Sequence, residues 1–203
     1  MKFLRFTLPV VLLSISVAAS AQTDAKMTDA KMAGAKMHDA KMTDTPKTEA
    51  PVSDAQKSFD QLKTLAGTWE GHVTTFPTAA EIEGKPIRAT LRVTSMGHTL
   101  MHEMTGEGRA DDPITMMVVD GDRLLLTHYC DANNRPRMAG KISADGQTVE
   151  FDFLDVSGNL QYGHMQHAKF TFIDADHHAE EWTFMAPDGV HSVRAHMDLQ
   201  RTK

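Results

Sequence analysis

Apolar and polar residues alternate with a period of two along most of the chain from residue 68 onwards. Such alternation is typical of strands that bury one face. Turn signals such as Asp120-Gly121 and Asp145-Gly146 interrupt the alternation at regular intervals and favour tight hairpins. The pattern predicts about ten antiparallel strands, near residues 68–76, 86–95, 98–106, 113–120, 122–130, 136–143, 147–156, 163–173, 177–186 and 190–201.

A helical pattern precedes the first strand. Ser53 and Gln56 have the spacing of a capping box, with the hydroxyl at the cap and the amide three residues later. Phe59, Leu62 and Leu65 then recur on one helical face. The pattern predicts a helix of about 12 residues that stops at Gly67, where glycine lets the chain turn through a left-handed conformation.

No helical pattern separates the strands, so the sequence predicts an all-β up-and-down meander over residues 53–203. Closure of about ten strands into a barrel removes exposed sheet edges, and a domain of this length can bury one core. A flattened β-sandwich is the alternative. At this strand number the interior is either filled by side chains or hollow, and the alternation leaves both open.

Alternation also assigns side chains to the interior. The apolar set is Ile87, Ala89, Leu91, Val93, Val149, Phe151, Phe153, Ala168, Phe170, Phe172, Trp182, Phe184, Val193, Ala195, Met197 and Leu199. The same parity brings polar residues inward, namely His128, His164, Gln166, Glu180 and His191. The third strand stays open, because Leu100, His102 and Met104 compete with Met101 and Glu103 for the inner face.

The stretch from Leu65 to Gly71 reads L-x-G-x-W-x-G between the helix and the first strand. Trp69 places a large apolar side chain near the start of the first strand. With the meander that follows, this pattern resembles the calycin superfamily of lipocalins, fatty-acid-binding proteins and nitrobindin-like barrels, and bacterial calycin-like families of unknown function in particular. The resemblance implies that the helix closes one barrel end. It also implies haem as a cofactor to consider, with His191 or His196 as the iron ligand.

The first 21 residues have the composition of a signal peptide. Lys2 and Arg5 precede an apolar run from residue 8 to 17, and Ala19-Ser20-Ala21 forms a cleavage site. The apolar run is shorter than the roughly 20 residues that a membrane span needs. The sequence therefore predicts cleavage after residue 21, a periplasmic or secreted product and no stable membrane insertion.

Residues 22–52 form a leader of different composition, in which a pentapeptide ending in Ala-Lys-Met repeats. The leader lacks aromatic residues and balances lysine against acidic residues, so it cannot bury enough apolar surface to order itself. A disordered spacer is the preferred interpretation. The alternative is a Cu(I) site, since thioethers are soft ligands; its members would be Met27, Met32, Met37, Met42 and His38.

The net charge and the cysteine content limit the classes of binding partner and exclude an internal disulfide. Two of the 21 Lys and Arg residues lie in the signal peptide, which leaves 19 against 27 Asp and Glu, a net charge of −8. An acidic protein is a poor partner for nucleic acid or an anionic membrane surface. Cys130 is the single cysteine, so an internal disulfide is excluded and burial of the thiol is expected.

Enzyme motifs are absent from the sequence: it has no G-x-S-x-G elbow, H-E-x-x-H pair, Walker loop or G-x-G-x-x-G. Arg137 could hold a carboxylate at the barrel mouth. The sequence therefore favours a non-catalytic, exported protein that binds a small, mostly apolar molecule inside the barrel. The candidate ligand-binding residues are Trp69, His128, Arg137, His164, Gln166, Glu180 and His191. The alternatives are a haem or metal barrel, a filled structural or interaction barrel, and an enzyme using His128, Glu180 and Cys130.

Overall fold

A computed structural model describes residues 51–108 and 112–202 of the chain. These residues belong to a compact unit that spans Thr48–Lys203. The predicted signal peptide, the copper hypothesis and all but the last two residues of the predicted leader lie outside the described residues. Across the described ranges, no helix is both long and apolar enough to cross a membrane.

The predicted N-terminal helix, α1, spans Asp54–Lys63. Its first turn is capped by Ser53, whose side-chain oxygen accepts a hydrogen bond from the Gln56 amide at 3.1 Å. The Gln56 side chain bonds Asp60 at 2.9 Å instead of returning to the cap. The helix has 10 residues, slightly fewer than predicted. Its buried face carries Phe59 and Leu62.

Ten strands follow α1 and close into one barrel, as predicted. Each strand pairs antiparallel with the next, and the last pairs with the first, so the sandwich alternative is wrong. The strands are β1 Gly67–Phe76, β2 Pro86–Thr94, β3 Thr99–Gly106, β4 Ile114–Asp120, β5 Arg123–Tyr129, β6 Asn134–Ile142, β7 Thr148–Gly158, β8 His164–Phe172, β9 His177–Met185 and β10 Ser192–Arg201.

Helix α1 covers one end of the barrel, where β1 begins and β10 ends, and packs against β4, β5 and β6. Phe59, Leu62 and Leu65 belong to the same hydrophobic core as the inward side chains of the strands. We refer to this as the closed end. The opposite end, where β1 stops at Phe76 and β2 starts at Pro86, is the open end.

The L-x-G-x-W-x-G stretch joins the helix, β1 and β10 at the closed end. The Trp69 indole nitrogen donates to the Leu65 carbonyl at 2.8 Å. The Arg201 guanidinium lies 4.0 Å from the centre of the Trp69 ring and donates to the Ala66 carbonyl at 2.8 Å. Trp69 is fully buried. These contacts hold the end of α1, the start of β1 and the end of β10 together at the closed end.

A positive φ explains the glycine at position 67, and close approach of the paired strand explains the one at position 71. A Cβ atom on Gly67, whose φ is +145°, would lie 2.4 Å from the Arg201 guanidinium. A Cβ atom on Gly71 would lie 2.0 Å from the backbone carbonyl oxygen of Asp198 on the paired strand β10. Each glycine lets a neighbouring group pack where a side chain would otherwise stand.

Most predicted interior residues are buried, but Val93 and Phe153 are each 36% exposed. Val93 lies near the end of β2, beyond the buried Leu91. Phe153 pairs with Met138 at a register shift in β6–β7, after which β7 is largely exposed. These two predictions are wrong because the alternation continues past the point where each strand leaves the core.

The structure also decides the face of β3 that the sequence left open. Leu100 and His102 are buried, and Met104 packs against the core. Met101 and Glu103 lie on the other face. A histidine therefore points into the barrel in the middle of β3.

Candidate functional site

An apolar cavity of about 470 Å³ occupies the open half of the barrel. The β1–β2 loop and the start of the β3–β4 loop border its mouth. Its apolar wall comes from Val73, Ile87, Met104, Met165, Phe184, Val193, Ala195 and Met197. Cavities of this size and polarity are typical of small-molecule sites. The barrel is thus filled at its closed end and hollow at its open end.

A buried polar network lies directly behind the floor of the cavity. The Glu180 carboxylate contacts His102 Nε2 at 3.1 and 3.2 Å, His178 Nε2 at 3.0 Å and the indole nitrogen of Trp182 at 2.9 Å. His102 belongs to β3 and Glu180 to β9, so one contact crosses the interior between strands that are not neighbours. His102 and Trp182 line the cavity and separate Glu180 from it.

Burial alone would raise the pKa of the Glu180 carboxyl. Attraction to His102 and the hydrogen bonds from His102 and His178 outweigh that effect and hold the pKa well below its usual range. An ionised Glu180 can only accept, so it fixes the proton of each histidine on Nε2. Nδ1 of His178 is buried without a hydrogen-bond partner in the described part of the chain.

His102 is held from three sides. Its ring stacks on Trp182 with centroids 5.6 Å apart and meets the edge of Phe170 at 6.0 Å, while Nε2 bonds Glu180. The second ring nitrogen, Nδ1, makes no hydrogen bond with any described residue. Because His102 lines the cavity, Nδ1 is the nitrogen left for a guest molecule.

Two further polar residues continue from His102 across the wall. Strand pairing places His102 opposite Thr115 and Thr115 opposite His128, all on the inner face. The Thr115 hydroxyl and His128 Nδ1 share a hydrogen bond of 2.8 Å, and the His128 ring lies 5.5 Å from that of Trp182. We call His102, Thr115 and His128 the polar shelf. It is the buried polar part of an otherwise apolar wall.

The sequence placed His128 and Glu180 correctly in the interior. Of these two, His128 lines the cavity, whereas Glu180 lies behind His102. Trp69, also a candidate, is buried at the closed end and is not among the residues that line the cavity.

The prediction for β8 is wrong at His164. The pairing of β8 with β9 shifts between Met165 and His167, which leaves Gln166 as an extra residue. Such a bulge reverses the parity of the strand beyond it. Met165 therefore lines the cavity, and His164 stacks on Phe153 at 4.9 Å. Gln166 is half-buried and does not line the cavity either.

Two other candidates point away from the cavity. His191 is 83% exposed in the β9–β10 turn, where its bond to Asp188 raises its pKa, so the prediction that it faces inward is wrong. The strand begins only at Ser192, and parity does not apply to the turn. Arg137 lies on the exposed face of β6, where it pairs with Asp155 instead of reaching the mouth.

The residues that the resemblance implies for haem do not fit this geometry. His191 lies in the exposed turn, and His196 lies on the outer face, with Nδ1 3.3 Å from Glu181. Neither lines the cavity. Within the described ranges, no group of three or more His, Cys, Asp or Glu side chains is placed to hold a metal ion.

Cys130 is half-buried and lies on the cavity wall, with Sγ 3.5 Å from a carboxylate oxygen of Asp131. Cys130 and His128 both line the cavity. Glu180 lies on the far side of His102, so the enzyme constellation that combines it with Cys130 and His128 is not assembled on the cavity surface.

Sequence reasoning missed His102 and Thr115. The parity of Leu100 was the available signal for His102, but Met101 and Glu103 fitted the alternation equally well. Thr115 lies between Ile114 and Met116 in an apolar strand and carries no signal of its own. His178, which completes the network, was hidden in a pair of adjacent histidines.

No protein-family model matches the chain, and no curated protein matches it significantly in sequence. Among solved structures, Rv2717c from M. tuberculosis aligns over 72% of this chain and 98% of its own, with 15% identity and a TM-score of 0.52. A protein of unknown function from the DUF3598 family of Nostoc punctiforme aligns over 70% of this chain, with 12% identity and a TM-score of 0.48. This chain spans about half of that protein, 49% of its length.

A third structure, EF1p2_mFAP2b bound to DFHBI, aligns over 71% of this chain at 12% identity with a TM-score of 0.37. Of the three, the likeness to Rv2717c exceeds a TM-score of 0.5, and at such low identity it concerns the fold alone. The chain therefore shares with Rv2717c the fold alone, which here is a closed, ten-stranded antiparallel barrel with one short helix.

Proposed function

We propose that this protein binds a small, mostly apolar molecule in the open half of the barrel. The single observation that carries the proposal is the apolar cavity of about 470 Å³, closed below by His102 and Trp182 and bordered above by loops. Burial of an apolar guest in such a cavity is favourable because both surfaces leave water. Flexible methionines, Met104, Met165 and Met197, would adapt the wall to the guest.

The polar shelf supports binding over a purely structural role. Buried polar groups are costly, and a core that serves stability alone is better filled with apolar residues. His102 and His128 nevertheless stand on the wall of a cavity instead of packing against apolar neighbours on all sides. With a signal peptide predicted before the barrel, we place this binding in the periplasm or outside the cell.

Tryptophan fluorescence tests the proposal, because the two tryptophans differ in their access to the cavity. Trp182 lines the cavity, whereas Trp69 is sealed at the closed end. We expect 1-anilinonaphthalene-8-sulfonate to bind at one site and to quench Trp182. The quenching should be stronger in Trp69→Phe, which keeps Trp182, than in Trp182→Phe, and binding is detected in both variants from the dye's own emission.

Circular dichroism and thermal melting establish that both variants fold. Absence of dye binding to the folded wild-type protein, tested also with octan-1-ol as a competitor, would contradict the proposal.

Haem is the second candidate, and one observation favours it. A histidine that ligates a metal usually donates a hydrogen bond from its other ring nitrogen to a carboxylate, as His102 Nε2 does to Glu180. Haem sites also need an apolar slot, and the cavity provides apolar walls. Haemin titration should then give a Soret band for the wild type and for His191→Gln but not for His102→Gln. An unshifted haemin spectrum with the wild type would eliminate this candidate.

A further inference from the structure

The interior of this barrel holds a histidine–carboxylate pair that the binding of an apolar guest does not require. Glu180 is ionised, fully buried and bonded to Nε2 of His102, whose ring lines the cavity. An ionised carboxylate is costly to bury, and a neutral acceptor would hold the ring equally well if His102 formed only one hydrogen bond to a guest. A full negative charge behind the ring is typical of a histidine that gains a proton while it works.

The pair has the geometry of a general base and the group that orients it. Glu180 fixes one proton on Nε2, because an ionised carboxylate only accepts hydrogen bonds. Nδ1 then keeps its lone pair, makes no hydrogen bond with any described residue and belongs to a side chain on the cavity wall. When Nδ1 takes up a proton, the ring becomes a cation with Nε2 3.1 Å from a Glu180 oxygen, and this charge stabilises it.

Packing fixes the ring, so Nδ1 keeps its direction. The ring stacks on Trp182 with centroids 5.6 Å apart and meets the edge of Phe170 at 6.0 Å. His102 lies in the middle of β3, where it pairs with Leu91 on one side and Thr115 on the other. A base held on rigid strands needs little further ordering when it meets a substrate.

Glu180 is the charged residue that contacts this base. His178 bonds the same carboxylate from β9, and His128 on β5 follows beyond Thr115. Among the described residues of the cavity wall, the other titratable side chains lie in or beside the loops at the mouth, namely Glu81, Lys85, Glu107, Cys130 and Asp131. The pH dependence of a proton transfer at Nδ1 should therefore report on His102 and its two histidine neighbours.

The floor of the cavity favours proton transfer on carbon over ester or amide hydrolysis. Hydrolysis needs several donors, commonly backbone N–H groups, aimed at the oxyanion of a tetrahedral intermediate. The backbones at His102 and Thr115 pair with strands on both sides and offer no such donors. An enolate oxygen needs fewer donors, and the Thr115 hydroxyl supplies one when His128 Nδ1 donates to it.

We propose that His102 is a general acid–base that moves a proton on a small, mostly apolar carbon acid, with Glu180 as its positioning residue. A carbon acid is a compound whose C–H bond is acidified by a neighbouring carbonyl or similar group. The C–H bond breaks, its proton goes to Nδ1, and the electron pair moves onto the carbonyl oxygen. The proton then returns to the opposite face of the same carbon or to another carbon of the conjugated system. The reaction is an isomerisation without a co-reactant.

This inference rests on the proposed function, since the substrate must enter the cavity. The probe for it is 5-nitrobenzisoxazole, a flat carbon acid whose C–H proton goes to a base while a nitrile forms and the N–O bond breaks to release a coloured phenolate. We expect the wild-type protein to show saturation kinetics and a rate about 100-fold or more above that of free imidazole at the same concentration. The rate should rise with pH through the range in which histidines titrate.

Variants assign the proton transfer to the pair. His102→Gln should lower kcat about 100-fold. Glu180→Gln should lower kcat without raising KM, because an amide can donate to Nε2 and no longer fixes the proton. Ala195→Trp fills the cavity and should abolish turnover without altering the pair. His196→Gln, the control on the outer face of β10, should behave as the wild type. Circular dichroism checks the folding of each.

The outcomes separate this inference from the proposed function. Failure of the dye to bind to the folded wild-type protein would overturn the proposed function. Dye binding without turnover of 5-nitrobenzisoxazole above that of free imidazole, a result that needs no variant, would overturn the acid–base role alone. Turnover that survives unchanged in folded His102→Gln, or that is lost in His196→Gln, would also overturn it.

Discussion

Glu180 is the residue on which the interior of this barrel depends most. It is fully buried, and its three donors come from His102 across the barrel and from His178 and Trp182 on its own strand. Removing one partner of a buried charged network leaves the others unsatisfied, which costs more than the network's net contribution to stability. A single carboxylate thus connects the packed half of the barrel to the cavity wall.

Replacing Glu180 tests this dependence. Glu180→Gln should lower the free energy of unfolding by about 3–5 kcal/mol at pH 7, because an amide cannot accept from all three donors. Glu181→Gln, at the next position but half-buried on the outer face, should cost about 1 kcal/mol or less. Urea denaturation of the three proteins provides the comparison, and equal losses for the two variants would contradict it.

The same residue predicts a pH dependence. The pKa of Glu180 is lower in the folded state than its value of about 4.3 in an unfolded chain. Its contribution to stability is therefore fully present above about pH 5 and is lost as the pH falls below that value. The stability difference between wild type and Glu180→Gln should shrink between pH 6 and pH 3. A constant difference would show that the pKa of Glu180 is the same in the folded and unfolded states, and a difference that grows would show that the carboxyl is protonated in the fold.

At the level of elements, two details of strand pairing determine what faces the cavity. The bulge at Gln166 turns Met165 inward and His164 outward, which a strict alternation cannot anticipate. Gly71 in β1 lets the Asp198 carbonyl of β10 approach, and this pairing helps close the barrel. Irregularities of a single residue thus decide which side chains line the cavity and how closely β1 and β10 pair to close the barrel.

Gly71→Ala tests the closure. The added methyl group would lie 2.0 Å from the Asp198 carbonyl oxygen, so β1 and β10 must separate locally. We expect a loss of about 1–3 kcal/mol in the free energy of unfolding. His72→Ala, at the adjacent exposed position of β1, is the control and should change stability little. Hydrogen exchange should show the loss of protection concentrated in the β1–β10 pair.

At the scale of the whole molecule, stability and binding are assigned to opposite ends. The closed end is filled by α1 and the inward side chains next to it, whereas the cavity lies beyond the Glu180 network. All ten strands are paired on both sides, so the closed end and the open end belong to one continuous sheet without a free edge. Mutations at one end should therefore have consequences distinct from those at the other.

Leu62→Ala and Met104→Ala test this separation. Leu62 is fully buried in α1, so truncation should cost about 2–5 kcal/mol yet leave dye affinity unchanged while the protein is folded. Met104 borders the cavity, so its truncation should cost less and alter dye affinity. The measurements are thermal melting and dye titration at 20 °C. A change of dye affinity in Leu62→Ala would show that the two ends are coupled.

The sequence by itself determined the ten-stranded meander, because turn residues and, in most strands, alternation are local signals. It favoured a barrel over a sandwich only through the general advantage of removing free sheet edges. It also determined the helix, whose Ser53 cap and Phe59–Leu62 face lie within a few residues of each other. His128 and Glu180 were placed inside for the same reason, since their strands keep a regular pleat around them.

Tertiary structure alone decided which residues meet. The His102–Glu180 contact joins strands that are far apart in the chain and not neighbours in the sheet, so no local pattern encodes it. The bulge at Gln166 and the exposed turn at His191 redirected two candidate ligands, because each depends on how a strand fits its partner. Whether the barrel is hollow depends on the sum of side-chain volumes across all strands, which only the packed molecule reveals.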